Sequence, residues 1–474
     1  SFIATSPSLV YQVMQGQAAI LKRGQRAEEF ETTDPLADLE RLLPKRRYHH
    51  DKHLPAFTGG LVGYAGYDTI RYYESEKLPA APKDDRRLPD LSFGLYGELV
   101  IFDHVDKTIK VVANADLKGS GFGVQGSGNT GEKTGTGTVF PPVNPDGEKT
   151  GTGTVFPPVN PDEAYRDACS RIDQIVTRLQ QPPQSTLGEI DPRGPLTLPF
   201  GSNMTREQFE DAVRKGQEYI KAGDIFQFVP SQRLRVQSTA DPFDVYRALR
   251  IINPSPFMFY LKSPACTLIG SSPEILCRVV GRTVTSRPLA GTRKRGATPE
   301  EDKALEVELL ADPKERAEHI MLVDLHRNDV GRVSKVGSVK ISDVMTVERY
   351  SHVMHITSHV TGELADDMTA MDALRVSLPV GTVSGAPKVR AMQIIDELEP
   401  TRRGPYGGAV GYVDFSGNMD TCIALRTIVW KNGVFDVQAG AGVVADSVPQ
   451  SEYEETMNKA KAMLKAVEIA EKGF

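Results

Sequence analysis

Residues 257–296 read FMFYLKSPACTLIGSSPEILCRVVGRTVTSRPLAGTRKRG, and this stretch decides the fold class. It divides into short apolar runs separated by Gly, Pro and Ser turns, which predicts successive strands. Two helices are predicted upstream of it, one within 205–236 and one at 242–254, and the first begins with Thr205 and Gln208 in capping-box spacing. Helices therefore alternate with groups of adjacent strands. This order predicts an α+β protein with large antiparallel sheets, not a doubly wound parallel sheet.

Three parts are predicted along the chain. Residues 1–117 are strand-rich and include two strands joined by a turn at His104–Lys107. Residues 118–200 form an insertion in which GEKTGTGTVFPPVNPD at 131–146 is repeated at 147–162, followed by a helix and a linker. Its Gly, Thr and Pro content predicts a flexible surface segment, and a docking motif present twice is the alternative. Residues 201–474 form the dense, regular part that we expect to be catalytic.

The composition excludes several classes of protein. A formal net charge of −6 gives no general attraction to nucleic acid or to anionic membranes, and no apolar run has the length of a membrane span. Four unpatterned cysteines argue against a disulfide framework or a zinc site. No Gly-x-Gly-x-x-Gly or Walker loop is present, which argues against a nucleotide enzyme. The chain opens at Ser1 without a methionine, which is typical of a processed or truncated product.

Two helix-like segments each carry a Glu-x-x-Glu pair. Glu315 and Glu318 precede IMLVDL, and Glu452 and Glu455 precede TMNKAKAML. An offset of three residues places both carboxylates on one helical face. Four such carboxylates could converge on Mg²⁺, which takes one or two protein carboxylates and keeps positions for water and an anionic substrate. The alternative is that each pair belongs to an ordinary solvated helix face.

Four later segments combine glycines with isolated polar groups. Gly381-Thr382 and Ser384-Gly385 precede a helix that begins near Pro387, where backbone N–H groups attract anions. Gly440 and Gly442 end a predicted strand, where backbone could approach a ligand closely.

The other two segments carry an arginine and several histidines. Arg426 lies in the apolar run 422–430, which we interpret as an interior strand; Tyr406 lies upstream of it. A buried arginine needs either an anionic ligand or a local acid, and both possibilities stay open. His352, His355 and His359 lie on a predicted strand in an alternating pattern that does not form a metal cluster.

Taken together, these segments resemble the chorismate-utilising enzymes, most closely their anthranilate synthase branch. The resemblance covers about 200–474 and rests on long motifs: Ser272-Pro-Glu274, PLAGTRKRG, DPKERAEHIMLVDLHRNDVGRV, SHVMHITSHVTGEL, LPVGTVSGAPKVRAM, GPYGGAVGYVDF and QAGAGVVADSVPQSEYEETMNKA. Residues 1–112 are similar to the N-terminal part of the family. The resemblance implies two large antiparallel sheets packed as a sandwich, with helices on the outside.

The resemblance also implies a role for each matching residue. Glu318 and Glu455 would hold Mg²⁺ with Glu315 and Glu452 nearby, and Glu274 would be a general acid. His355 and Thr382 would lie beside the ring, with His355 assisting pyruvate elimination. The residues implied to bind chorismate are Tyr406 and Arg426, by its enolpyruvyl carboxylate, and Gly291, Thr292, Gly440, Ala441 and Gly442, largely through backbone.

Two positions discriminate among relatives in this resemblance. Gln227 occupies the place of a water-activating lysine, which disfavours attack by water. Ala290 occupies the place of a nucleophilic lysine, which disfavours the main alternative, 4-amination of chorismate by an aminodeoxychorismate synthase. Amination at C2 by ammonia remains. The rival of a different class is a catalytically silent regulatory or scaffold protein with the same fold. Such a protein would be expected to have lost at least one of Glu318, Glu455, Arg426 and His355, and all four are present.

Partners and regulation follow from the same resemblance. No cysteine stands in a Gly-x-Cys-x-Gly elbow, so ammonia is expected from glutamine through a separate amidotransferase subunit in a hetero-oligomer. Pro256, Phe257 and Met258 are similar to part of a tryptophan-inhibition site. The segments YDTIRYYE and FGLYGELVIFDHV are plant- or cyanobacterial-like, so we expect the plastid stroma for a plant protein and otherwise the cytoplasm.

Overall fold

The computed structural model describes residues 1–43, 53–115, 117, 160–182, 190–191, 193–350 and 353–473. The duplicated insertion lies outside these residues except for positions 160–162, and His352 lies outside them as well. Among the described helices, none combines the length and the apolar composition needed to cross a bilayer.

The described secondary structure mixes helices with antiparallel strands. The strands are β1 Phe2–Ile3, β2 Leu9–Met14, β3 Gln17–Lys22, β4 Gln25–Glu31, β5 Gly60–Ala65, β6 Leu91–Tyr96, β7 Glu98–Asp103, β8 Thr108–Ala113, β9 Gly201–Ser202, β10 Gln227–Phe228, β11 Ser231–Gln237, β12 Phe257–Lys262, β13 Thr267–Ser272, β14 Ile275–Val280, β15 Thr283–Ser286, β16 Leu289–Lys294, β17 Lys340–Arg349, β18 Val353–Glu363, β19 Gly385–Ala386, β20 Ala409–Asp414, β21 Met419–Ile423, β22 Thr427–Lys431 and β23 Val434–Gly440. The helices are α1 Pro35–Leu42, α2 Pro161–Leu179, α3 Arg206–Ala222, α4 Pro242–Ile252, α5 Pro299–Ala311, α6 Pro313–Gly331, α7 Ala370–Ser377, α8 Gly381–Ser384, α9 Lys388–Leu398 and α10 Pro449–Lys472, with a 3₁₀ helix at Tyr67–Tyr72.

The chain forms two compact units. The first comprises Ser1–Ser8, Leu54–Gly59 and Tyr96–Gln184, and it contains the small sheet β1-β7-β8 and helix α2. The predicted hairpin is confirmed, because β7 and β8 pair on either side of the turn at 104–107. The predicted division at 117 and 200 stays a prediction.

The second unit comprises Leu9–His53, Gly60–Leu95 and Ser185–Phe474 and contains two large antiparallel sheets. A 12-stranded sheet runs β16-β18-β15-β14-β21-β20-β5-β6-β2-β3-β4, with β17 also paired to β18. A six-stranded sheet runs β12-β13-β22-β23-β11-β9. The α+β prediction with large antiparallel sheets is therefore confirmed.

The two large sheets share an apolar layer. One cluster contains Tyr64 and Val410 from the 12-stranded sheet together with Leu268 and Val429 from the six-stranded sheet. The other face of the six-stranded sheet packs against α4 and α10, where Leu249 is among the fully buried side chains. This is the predicted sandwich with helices outside, and burial of apolar side chains on both faces explains its long apolar strands.

Local sequence signals explain how the helices of the site begin. The capping box of α3 is present: the Thr205 side chain accepts from the Gln208 backbone, and the Gln208 side chain accepts from the Thr205 backbone. Asp312 caps α6 by accepting from the backbone N–H groups of Lys314 and Glu315. The first turn of α6, which carries Glu315, is therefore fixed by its own sequence.

Candidate active site

The chain crosses between the two large sheets at two neighbouring points. The first connection runs from β13 to β14 and carries Glu274; the second runs from β21 to β22 and carries Arg426. The crossings are bonded to each other's sheets: the Ile423 N–H donates to the Glu274 carbonyl (3.0 Å), and the Ser271 N–H donates to the Arg426 carbonyl (3.1 Å). Backbone pairing thus brings the carboxyl side chain of Glu274 and the guanidinium side chain of Arg426 to the same region of the molecule.

Arg426 is not on an interior strand, so that interpretation is wrong. It lies between β21 and β22 with a φ of +45°, a left-handed conformation, because the chain turns here from one sheet into the other. Its half-buried guanidinium makes no ion pair or side-chain hydrogen bond with any described residue. Burial lowers its pKa, and interactions with Tyr350 and Glu274 oppose that shift. A guanidinium in this state is suited to an anionic ligand.

Glu274 is a buried acid. Burial raises its pKa to about 8, while a hydrogen bond from Thr382 and the charges of Arg287 and Arg426 oppose that rise. Thr382, on α8, donates to Oε1 at 3.2 Å. At neutral pH the carboxyl group is therefore mostly protonated, which is the form that a general acid requires.

His355 is held in one tautomer. Its Nδ1 lies 2.8 Å from the carbonyl oxygen of Gly291 and 3.1 Å from Thr292 Oγ1. A carbonyl only accepts, so Nδ1 carries the proton and Nε2 is left as the basic nitrogen of the neutral ring. Burial lowers the pKa of this imidazole, and the charge of Arg426 lowers it further. The ring of Tyr350 meets it edge-on, with centroids 5.6 Å apart.

The two acidic helix starts come together. Burial raises the pKa of Glu318, and the charges of Glu315 on its own helix and of Glu455 on α10 raise it further. Burial and the charge of Glu455 likewise raise the pKa of Glu452. Carboxylates from both helices therefore repel one another. A cation between them would relieve that repulsion.

The carboxylates at the two helix starts are oxygen donors, the ligand type that Mg²⁺ takes in proteins. Among the described residues, no three His, Cys, Asp or Glu side chains group as a ready-made metal site. Glu315 is paired with Arg293 (3.0 Å) and Glu455 with Lys459 (2.6 Å). Glu318 makes no ion pair or side-chain hydrogen bond with any described residue. Only Glu318 among these three carboxylates is therefore free of an ion pair with a described residue, and an ion that keeps several waters needs only one or two protein carboxylates.

Close backbone approaches connect these groups. Gly291 has a φ of +64°, and a side chain there would stand 3.1 Å from Glu315 Oε2, so its backbone lies directly beside the acidic cluster. At the end of β23, a side chain at Gly440 would lie 2.9 Å from the Tyr406 hydroxyl. The buried Tyr406 has its pKa raised to about 12 by that burial. The left-handed conformation favours glycine at Gly291, and at Gly440 a side chain would also lie 2.8 Å from the Pro230 carbonyl oxygen, so a larger residue there must displace its neighbours.

Gln227 lies close to the end of strand β23. Its Nε2 is 2.7 Å from where a side chain at Gly442 would begin, and its Oε1 is buried without a hydrogen-bond partner among the described residues. The intervening Ala441 is fully buried, and its N–H donates to the Pro230 carbonyl (3.2 Å). An unpartnered buried amide oxygen indicates a polar ligand or a water at this point.

Sequence reasoning missed Lys459. Its Nζ donates to the Gly440 carbonyl (3.0 Å) and lies 2.6 Å from Glu455, so it connects the acidic cluster with the end of β23. The signal was available, because Glu455 and Lys459 have the i,i+4 spacing of a helical ion pair. Tyr350, beside His355 and Arg426, had no such signal.

The predicted inhibitor residues lie on the six-stranded sheet. Phe257 and Met258 begin its edge strand β12, directly after Pro256. Phe257 packs into the layer shared by the two large sheets, whereas Met258 packs on the helix side. Their role in inhibition stays a prediction.

A buried acid, a neutral histidine, an unpaired guanidinium and a carboxylate cluster thus lie in one unit of the chain. The family of chorismate binding enzymes matches residues 2–465, so the chain belongs to that family.

Individual relatives within this family are similar to the chain over most of its length. The chain is 46% identical over 475 residues to anthranilate synthase component 1 of Acetivibrio thermocellus, covering 99% of this chain and 87% of the relative. It is 47% identical over 446 residues to the chloroplastic anthranilate synthase alpha subunit 1 of Arabidopsis thaliana, covering 88% and 68%. The crystal structure of anthranilate synthase component I from Streptococcus pneumoniae is 36% identical, with coverages of 98% and 92% and a TM-score of 0.80.

Proposed function

We propose that this chain is the synthase subunit of an anthranilate synthase, which converts chorismate and ammonia to anthranilate, pyruvate and water in tryptophan biosynthesis. The observation that carries the proposal is the pair of unmatched charges in the site. Glu318 has no partner cation and Arg426 has no partner anion among the described residues. Chorismate carries two carboxylates. One can be bound by Arg426, and the other can be bound through a cation held by the acidic cluster.

Substrate binding follows from these charges. Arg426 and Tyr406 bind the enolpyruvyl carboxylate, since a guanidinium fork and a phenol both donate to carboxylate oxygens. Glu318 and Glu455 would hold Mg²⁺, with Glu315 and Glu452 nearby, and the ion would supply charge withdrawal through the ring carboxylate. Thr292 and the backbone of Gly291, Gly440, Ala441 and Gly442 enclose the ring.

The first chemical step is amination. Ammonia attacks C2 of the ring, the double bonds shift, and the 4-hydroxyl leaves. Glu274 gives its proton to that hydroxyl, which departs as water; Thr382, which donates to Glu274, then stabilises the carboxylate that remains. No base stands at Gln227 to activate water as the nucleophile. Ala290 has no amine for a covalent adduct, which disfavours amination at C4.

The second step is elimination. The C2 proton is removed, the C2–H electron pair makes the ring aromatic, and the C3–O bond breaks; enolpyruvate leaves and takes up a proton to become pyruvate. His355 is suited to this proton transfer because Gly291 fixes its tautomer and leaves Nε2 free of a proton. Its lowered pKa keeps the ring neutral at physiological pH.

The ammonia source and the regulation of the enzyme complete the proposal. We infer that a separate amidotransferase subunit supplies ammonia from glutamine, while free ammonium supports activity of this chain alone. Tryptophan inhibition through Pro256, Phe257 and Met258, and a plastid location for a plant protein, remain parts of the proposal.

One assay tests the proposed function. The purified chain is incubated with chorismate, Mg²⁺ and ammonium at mildly alkaline pH, and anthranilate is followed by fluorescence. We expect anthranilate and equimolar pyruvate from the native chain. We expect no product from Glu318→Gln, which replaces the unpaired carboxylate with an uncharged amide of nearly the same size. Formation of isochorismate or of a 4-aminated product would contradict the proposal.

A further inference from the structure

A buried ion pair lies behind the site. Arg403 and Glu399 are only 2% and 5% exposed, and the Arg403 guanidinium binds the Glu399 carboxylate through Nε (3.0 Å to Oε2) and Nη2 (2.5 Å to Oε1). Neither residue belongs to the site described above. A buried pair of this kind is weak evidence for stability, because desolvation of both charges offsets their attraction. Its other contacts therefore indicate what it does.

The remaining Arg403 donors go to two backbone carbonyls. Nη1 donates to the carbonyl of Val383 (2.7 Å), which directly follows Thr382 on α8. Nη2 donates to the carbonyl of Val229 (2.6 Å), two residues after Gln227. One guanidinium thus connects the short helix that carries the Glu274 donor with the segment that carries the buried amide, alongside the direct bond from the Val229 N–H to the Ser384 carbonyl (3.0 Å).

The flat face of the guanidinium meets the third segment. Its carbon lies 5.6 Å from the ring centre of Tyr406 and 4.6 Å from that of Tyr67. A cation over an aromatic face is attracted by the ring quadrupole, so Arg403 also sets the position of the Tyr406 ring.

Glu399 extends the network to the glycine strand. Its Oε1 accepts from both the N–H and the hydroxyl of Ser231 (2.8 Å each), and that hydroxyl accepts from Gln438 Nε2 (2.8 Å). Ser231 is the backbone partner of Gly440 in the six-stranded sheet. The ion pair therefore contacts Val383, Val229, Tyr406 and Ser231, which belong to the proposed site or lie within two residues of it or of its strand partners.

We propose that Arg403 is a positioning residue that holds Gln227, Thr382 and Tyr406 at fixed separations through one guanidinium. Only arginine offers donors in a rigid fork together with a flat cationic face; a lysine at this position keeps the charge but loses the fork. The kinetic part of the inference rests on the proposed function, and the structural part does not.

The structural test is amide hydrogen exchange of Arg403→Lys, read by mass spectrometry. The matched control is Arg71→Lys, because Arg71 also binds two carboxylates, those of Asp68 and Asp396, and the carbonyl of Ala80 (3.0 Å). We expect Arg403→Lys to speed exchange in 227–230 and 381–384 at least tenfold. We expect the control to leave those two segments unchanged. Unchanged exchange there in folded Arg403→Lys would overturn the inference.

The kinetic test separates positioning from a loss of folded enzyme. A misplacement of about 1 Å can lower turnover about 100-fold, so we expect kcat of Arg403→Lys to fall by that order. If Glu274 acts as the acid, kcat/KM falls at high pH as this residue loses its proton, and we call this fall the high-pH limb. We expect the limb to move to higher pH in Arg403→Lys, as in Thr382→Val, because loss of the Thr382 bond raises the pKa of Glu274. Partial unfolding lowers the amount of active enzyme but leaves the limb in place, and an unmoved limb would contradict the proposal.

A second variant keeps the inference testable if Arg403→Lys does not fold. Glu399→Gln retains the guanidinium and its two carbonyl bonds but removes the opposing charge. We expect smaller changes in the same direction, both in exchange and in the pH limb, and a folded Glu399→Gln without either change would overturn the inference. If the native chain makes no anthranilate, the proposed function fails, while the exchange result still decides whether Arg403 positions these segments.

Discussion

Arg403 and Arg426 show opposite states of the same side chain in one unit of the molecule. Arg403 is buried and bonded to a carboxylate, two carbonyls and two aromatic faces. Arg426 is half-buried and bonded to no described side chain. The first is saturated by the protein, and the second is left for a ligand. The difference teaches that an unsatisfied charge, and not burial alone, distinguishes a binding residue from a structural one.

The largest effect should come from removing the unsatisfied charge. Arg426→Gln is expected to lower kcat/KM for chorismate about a thousandfold, because a carboxylate then enters the site without its charge-assisted bonds. The melting temperature should stay within about two degrees of the native value, since no ion pair or side-chain hydrogen bond with a described residue is lost. Steady-state kinetics checks the fall in kcat/KM, and calorimetry on the same preparation checks the melting temperature. A strong loss of stability would place Arg426 among the structural arginines.

Removing the Arg403 side chain should lower stability strongly, unlike removal of the Arg426 side chain. Arg403→Met leaves Glu399 as an unpaired buried carboxylate, so the free energy of unfolding is expected to fall by about 3–5 kcal/mol. Urea unfolding measures this, with Arg426→Met as the matched control. If both variants lost the same small amount of unfolding free energy, the distinction between a structural arginine and a ligand-binding arginine would be wrong.

The pH dependence of activity should follow Glu274. Its folded pKa of about 8 lies above its ordinary value of 4.5, so the acid form persists at neutral pH and is lost as the pH rises through 8. We therefore expect kcat/KM to fall above about pH 8. The same shift means that the folded state holds a proton that the unfolded state has released, so stability should fall between pH 4.5 and 8.

Glu274→Gln is the control for both curves. It cannot donate a proton to the leaving hydroxyl, so its low residual activity should lack the high-pH limb. Its stability should lack the decline between pH 4.5 and 8 that this carboxyl contributes. A limb that survives in the variant would assign the titration to another group.

The smallest effect concerns the acidic cluster. Glu318→Gln removes a carboxylate that is repelled by Glu315 and Glu455. Without divalent ions, we expect the melting temperature of the variant to rise by about one or two degrees. Added Mg²⁺ should stabilise the native chain and not the variant, because only the native chain offers the free carboxylate. Equal stabilisation by Mg²⁺ would place the ion elsewhere.

Much of the fold could be predicted from local sequence signals. The stretch 257–296 forms five strands, the Thr205 capping box is present, and α9 follows Pro387 as expected. These features depend on neighbouring residues, which a sequence displays directly. The family motifs predicted the remainder of the sandwich.

The connections between sheets could not be predicted from local signals. The sequence predicts one continuous apolar strand through Arg426, yet the chain leaves the large sheet at Ile423 and enters the smaller one at Thr427. Both strands are buried and apolar, so nothing in the sequence marks the crossing. The network around Arg403 was missed because two of its partners are the backbone carbonyls of Val229 and Val383, which lie 174 and 20 residues away and leave no side-chain signal. The i,i+4 spacing of Glu399 and Arg403 alone indicates only a helical ion pair.

The central claim is that unmatched charges bind the two carboxylates of chorismate. Its most direct test is calorimetric titration of chorismate, with Mg²⁺ and without ammonia, into the native chain, Arg426→Gln and Glu318→Gln. The account predicts that each variant binds chorismate at least about tenfold more weakly than the native chain, with the fold intact. Native-like affinity in Arg426→Gln would contradict it.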